Sequence, residues 1–268
     1  MNLRSALLSL VITSVATSAF AADTNNFVII NSKNGKVMGK AAYSIDTAKN
    51  GVVRIRSHWT FQLHTGDLPS AMNTDAGVAT GRQITPGNTS NFVDGQYSSE
   101  YKLDPNGDYI SGYLQDGSSL VMTSYTPNKT RTAIAVSAVQ AGNISETSDV
   151  PLPKPGFIVA PDLDPSAIQA LITTAITHPH PDSTYLLLNP TGVSVEQPGS
   201  QLAYVTIQPV SGTANGTLDG KPVVLKRYLM NFHTAHALIF VNDAGTVMEV
   251  QMGPLSANYV RDKFVLNP

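Results

Sequence analysis

Six histidines in a chain with no cysteine raise the question of zinc first, because neutral imidazole is the usual nitrogen ligand of that ion. His58 and His64 share one face of a candidate strand but stand six residues apart, about 20 Å at roughly 3.3 Å per residue, too far to hold one ion together. His233 and His236 form H-x-x-H at the end of a strand-like run, where a spacing of three sends the side chains to opposite faces. His178 and His180 flank Pro179 in an extended link without a third ligand beside them. No H-E-x-x-H is present, so the spacing nominates no metal site.

Other chemistries are equally unselected. There is no G-x-S-x-G and no S-x-x-K at a helix start, so serine, histidine and aspartate are present without a local geometry that makes a nucleophile of one of them. Paired acids for glycoside hydrolysis would have to come from Glu100, Glu146, Glu196 and Glu249, of which only Glu100 and Glu249 fall in strands able to fix a site. Asp67 and Asp75 fall on a long polar connection and read as solvated. No catalytic residue and no cofactor is nominated.

The aromatic residues Trp59, Phe61, Tyr43, Tyr97 and Tyr101 are different, because alternation puts each with the more apolar residues of its strand. Two readings compete. Large apolar side chains on one sheet face usually meet a helix or a second sheet and are plain core. They can also form the wall of an apolar cavity, and on that reading Trp59, Phe61 and Tyr101 are the candidate ligand-binding residues.

The element that must position them runs from Val52 to His64. At period two, Val53, Ile55, Ser57, Trp59, Phe61 and Leu63 share one face, with Arg54, Arg56, His58, Thr60, Gln62 and His64 on the other, the pattern of a long half-buried strand. Its neighbours are separated by seven Asn-Gly or Asp-Gly pairs, each offering the positive φ that tight hairpins need. Strand-like runs cover 27–31, 37–46, 97–103, 108–114, 120–125 and 132–139, and then 184–188, 202–208, 223–232, 236–241 and 246–252. Residues 259–266 close the chain as strand or as a short helix running into one. Residues 65–89 read as a long connection. Four prolines in 150–161 exclude a central strand there, and Asp164 to Thr177 follows as the one convincing helix, with Ile168, Leu171, Ile172, Ala175 and Ile176 as its apolar stripe. About a dozen strands, one helix and no βαβ spacing anywhere argue against a parallel sheet.

The first residues carry Arg4, an apolar run from Ala6 to about Ala16, and Ala19-Phe20-Ala21, which is the order of a secretory signal peptide cut after Ala21. The expectation is a leader over 1–21 and one β-rich domain over 22–268, exported to the bacterial periplasm or beyond. The 42% hydrophobic and 13% charged residues argue for a folded chain, and a formal charge of -2 gives no nucleic-acid footprint. The absence of cysteine removes disulfides and thiol nucleophiles. No later stretch is apolar enough for a transmembrane helix.

Gly35-Lys36-Val37-Met38-Gly39 before Tyr43-Ser44-Ile45, the run Tyr101 to Gly107, and Asp243-Ala244-Gly245 before Glu249-Val250 resemble a family of exported bacterial proteins of unknown function. Its strand plan is similar to the half-closed barrels of LolA/LolB-like lipoprotein carriers. That resemblance implies a sheet curved around a helix with an apolar cavity, and no catalytic motif. The resulting expectation is a mainly β protein, a curved antiparallel sheet or incomplete barrel with one central helix near 164–177. It would bind a lipid or other apolar envelope component without catalysis. An envelope hydrolase with residues drawn from separate strands and a structural envelope protein with a full core are the alternatives, and the sequence leaves the oligomeric state open.

Overall fold

Two strand meanders, one from each end of the chain, meet side by side in a single sheet. A computed structural model describes residues 24–64, 92–117, 121–140, 143–151, 157–159, 165–188, 202–232, 235–253 and 257–267. The expected leader and the whole of the 65–89 connection lie outside the described residues. Strands β1 (Asn25–Asn31), β2 (Val37–Thr47), β3 (Val53–His64), β4 (Phe92–Leu103), β5 (Tyr109–Asp116), β6 (Val121–Pro127), β7 (Ala133–Gln140) and β8 (Asn143–Pro151) follow in order, each antiparallel to the one before. On the free side of β1 the chain end takes over. The sheet continues through β15 (Ala257–Arg261), β14 (Val247–Met252), β13 (Ala235–Asn242), β12 (Lys221–Phe232), β11 (Leu202–Leu218), β10 (Thr184–Leu188) and β9 (Phe157–Val159).

The junction is an antiparallel ladder in which Ile29 faces Tyr259. No ladder joins β8 to β9 among the described residues, so the sheet is barrel-like without closing. The mainly β, curved antiparallel architecture, with one helix among the described residues, is therefore the one expected.

Turn chemistry sets the hairpins. Gly51, Gly107 and Gly245 hold φ of 81°, 82° and 77° and donate their N–H groups back to Ala48, Asp104 and Asn242 at 2.9, 2.9 and 3.0 Å. The β6–β7 hairpin makes the same turn, with Arg131 N–H donating to the Asn128 carbonyl at 3.0 Å, but its left-handed residue is Arg131 itself, at φ 55°. That conformation costs a non-glycine residue roughly 1–2 kcal/mol. Its guanidinium reaches Asp104 at 3.7 Å and Asp108 at 3.6 Å, which ties two neighbouring hairpin tips together.

Two expectations fail in the middle of the chain. The segment over 150–161 is not only a link: β8 extends through Pro151, and β9 forms at 157–159. The proline is tolerated because β8 ends the sheet and its outer edge carries no ladder among the described residues. In addition, β9 is parallel to β10, with Leu187 beside Ile158, and the helix α1 (Pro165–Thr177) makes the crossover between them. This is a β-α-β unit. Its first strand has only three residues, too few to show a period of two. At the other end, 259–266 is two strands, β15 and then β16 (Phe264–Leu266), which turns back to pair with Gly216–Leu218 of β11.

The sheet has a core on each face. Inward-facing Phe27, Tyr43, Ile55, Trp59, Tyr101, Ile134, Val205, Ile239, Val250 and Tyr259 enclose α1, of which every residue from Pro165 to Ile172 is buried. The helix is hidden all round at its start and not along one stripe, and its last apolar residue, Ile176, is exposed. On the opposite face Leu225, Phe240, Met248 and Phe264 form a smaller cluster. It exists because β16, tied to β15 by a tight turn, pairs with β11 four strands away, which curls the far halves of β11 and β12 over the outside of β13–β15.

Candidate functional site on the concave face

Alternation along β3 and β4 carries the aromatic residues inward, as the period of two requires. Trp59 faces Ala41 on one side and Tyr97 on the other, and its indole stacks on the Tyr97 ring with centroids 4.5 Å apart and planes at 22°. Two residues along, Ser57 and Ser99 are opposite each other and their hydroxyls hydrogen bond at 2.6 Å. Next come Ile55 and Tyr101, and beyond Tyr101 the register places Gly112 and then Tyr125. A Cβ at Gly112 would lie 2.5 Å from the Glu100 carbonyl and 2.6 Å from the Tyr109 hydroxyl, so this position is bare in order that the tyrosines can cross it.

Of the nominated residues, Trp59 is 4% exposed and Tyr101 1% exposed, and both belong to the large core. Phe61 is placed by its backbone on β3 between Gly39 and Gly95, and its side chain lies outside what the structure describes. The described histidine side chains do not converge. His58 is exposed and meets Ser98 Oγ at 3.1 Å, His178 and His236 are exposed, and His180 packs edge-on against Tyr185 with centroids 5.0 Å apart. No group of three metal-ligating side chains occurs among the described residues.

The two strand acids are also apart. Glu100 is on the outer face of β4 between Arg54 at 3.8 Å and Lys102 at 3.3 Å, whereas Glu249 is on β14, five strand steps away, or about 24 Å around the sheet at roughly 4.8 Å per step. Paired acids of a glycosidase stand about 5–9.5 Å apart.

What the concave side offers is hydroxyls and amides. Seven tyrosines are buried there, at 43, 97, 101, 109, 125, 185 and 259. Burial lifts the phenols of Tyr109 and Tyr125 well above their ordinary range, with the neighbouring Tyr125 adding to the effect on Tyr109. The Tyr109 hydroxyl donates to the Tyr125 carbonyl at 3.3 Å, and Tyr185 Oη accepts from the His180 N–H at 3.3 Å. Glu249 is the one buried acid among the described residues, and it faces the other side of the sheet, opposite Phe240 and Val260. A dry, hydroxyl-bearing wall can hydrogen bond a neutral group and pack an apolar one.

The likeness to known proteins is one of fold. No family model and no curated protein sequence matches the chain. A solved structure that does is a β-barrel-like protein of a domain of unknown function, DUF1849, from Brucella abortus, with a TM-score of 0.50, 8% identity, and coverage of 91% of this chain and 97% of that one. Identity at that level carries the strand arrangement and nothing about activity.

The polar residue that sequence reasoning passed over is Gln169. It sits in the middle of α1 and is 1% exposed. Its Oε1 accepts from the Tyr43 hydroxyl at 2.7 Å and from the Val247 N–H at 2.9 Å, while Nε2 donates to the Gly245 carbonyl at 2.8 Å and to Thr173 Oγ1 at 3.1 Å. One side chain thus joins the helix to β2 and to the β13–β14 hairpin. A glutamine among Ile168, Leu171 and Ile172 was the available signal, since a buried amide needs several partners.

Proposed function

We propose that this chain is a non-catalytic binding protein for a lipid or another apolar molecule with a polar group, exported to the bacterial envelope by the leader over 1–21. The observation that supports the reading is the extent of the inner wall relative to the helix inside it. α1 has thirteen residues, about 20 Å of helix at roughly 1.5 Å per residue, and packs against β2, β3, β9 and β14. The inner residues Tyr109, Leu114, Tyr125, Ile134, Val136 and Val150 belong to β5–β8, beyond the strands on which the helix packs, and each is at most 8% exposed, so a guest would enter by parting this wall where the short β9 packs against β5. An unclosed sheet ending beside an apolar, tyrosine-bearing wall has the makings of an entry for an amphiphile.

The sequence contains one tryptophan, and it stands on this inner face. Purified full-length mature protein, stripped of bound lipid, is titrated with a fatty acid and with a phospholipid below its micellar range while Trp59 emission is followed. Saturable change in emission, together with co-purifying lipid in native mass spectra, is the expected result. Emission that stays constant for both, with no adduct in the mass spectrum, rules the reading out.

A further inference from the structure

Glu249 is 6% exposed, lies on the wall shared by the two cores, and makes no ion pair with any described residue. Its one described partner is Gln251, whose Nε2 donates to Oε1 at 2.8 Å. Val247 and Val250 point into the main core, whereas Phe240, directly across from Glu249, belongs to the outer cluster and Val260 packs against it, so Glu249 stands on the face of β14 that the curled arm of 213–226 and β16 covers. We propose that Glu249 is a pH-sensitive latch on this arm: with its carboxyl protonated the arm stays closed over the outer cluster, and with the carboxyl ionised it opens more readily.

The surroundings supply no countercharge. On β12, Arg227 is in the same cross-strand row, two strands over, with its guanidinium donating to the Ser211 carbonyl. On β15, Arg261 directs Nη1 to the Met248 sulfur at 3.9 Å. The β13 neighbour is Phe240, and the charges at that hairpin, Lys226 and Asp243, pair with each other at 3.7 Å. The arm residues 213–218 and 264–266 carry no ionisable side chain, Lys221 at the start of β12 is exposed, and at the turns Lys263 pairs with Asp219 at 3.2 Å, next to an exposed Asp262.

Burial raises the carboxyl above its ordinary range, and the Gln251 bond offsets this only in part. The sign follows. Below an unfolded value of about 4.3 the acid is neutral whether the arm is open or closed, and stability is complete. As pH rises toward the raised value of the closed form, only the open form is ionised, so closure weakens by up to about tenfold per pH unit. Since β14 also gives its Val247 N–H to Gln169, loosening on this side reaches the strand that holds the helix on the other.

Hydrogen exchange of the intact chain tests this, followed by mass spectrometry from about pH 4.5 to about pH 7.5 and corrected for intrinsic exchange. In wild type, protection of peptides spanning 213–226 and 264–266 should fall several-fold with rising pH, and in Glu249→Gln it should be independent of pH. Equal pH dependence in both proteins, or none in either, overturns the proposal. Should the variant fail to fold, carboxyl NMR titration of Glu249 in wild type is set beside the wild-type exchange: arm protection that falls through the midpoint of a raised Glu249 titration upholds the proposal, and an ordinary glutamate value or protection that does not follow the titration overturns it.

Discussion

The hydroxyl of Tyr43 on β2 donates to Oε1 of Gln169 on α1 at 2.7 Å, across 126 residues of sequence and inside the main core. The same oxygen serves the Val247 N–H, so replacing Gln169 with leucine takes a partner from a phenol, a backbone N–H and a carbonyl at once. Each unmatched buried group costs about 1–3 kcal/mol, and Gln169→Leu should lower unfolding free energy by on the order of 3–5 kcal/mol in urea titrations. Tyr43→Phe should cost about 1 kcal/mol alone and less in the Gln169→Leu background, because the partner is already gone.

Gly112 and Gly216 should be intolerant for steric reasons. A methyl at Gly112 meets the Glu100 carbonyl at 2.5 Å, and one at Gly216 meets the Phe264 ring at 2.6 Å and the Val265 carbonyl at 2.8 Å. Overpacking of this kind costs roughly 1–3 kcal/mol. Gly112→Ala and Gly216→Ala should each lower Tm, and Phe264→Leu should recover part of the loss at Gly216 but none at Gly112.

Arg131 takes the left-handed place that glycine holds in three equivalent hairpins. Arg131→Gly removes backbone strain along with two partly exposed ion pairs, which are worth about 0–1 kcal/mol each and are screened by salt. The variant should be close to wild type in low salt and at least as stable in high salt. A large loss in both conditions would show that the link between the hairpin tips matters more than its charges.

Alkaline pH should unfold the protein cooperatively. The phenols of Tyr109 and Tyr125 are raised by burial, so they keep their protons in the fold while the unfolded chain loses its own near pH 10. Stability from these groups is complete below about pH 10 and falls as pH climbs toward the folded values. Phenolate absorbance should therefore appear together with loss of tertiary signal, and the double variant Tyr109→Phe, Tyr125→Phe should shift that transition upward.

Much of the wall was legible in the residues. The period of two from Val53 to Trp59 assigned faces correctly, and 165–177 is helical to within one residue of the expected start. Turns built on Asn50-Gly51 and Asn106-Gly107 lie where their glycines demanded. The sequence did not reveal β9 or its parallel partner, because three residues have no readable periodicity and a crossover pairing leaves no local mark. It did not distinguish Glu249, which is buried, from Glu100, which is held by two cations, since both stand in alternating strands.

By itself the chain determined most of its strands, their inward faces, turns such as those at Asn50-Gly51 and Asn106-Gly107, and its helix, all of which depend on neighbours within a few residues, whereas Asp94-Gly95 and Asn215-Gly216, also read as turns, lie inside β4 and β11. The tertiary structure decided that the first strand lies against β15, that β16 curls an arm over a second core, and that Gln169 is shared between two hairpins. Those outcomes rest on which distant backbone edges and buried polar atoms satisfy one another. Local pattern gives each strand a face to bury, while the choice of partner is settled only when the whole sheet is assembled.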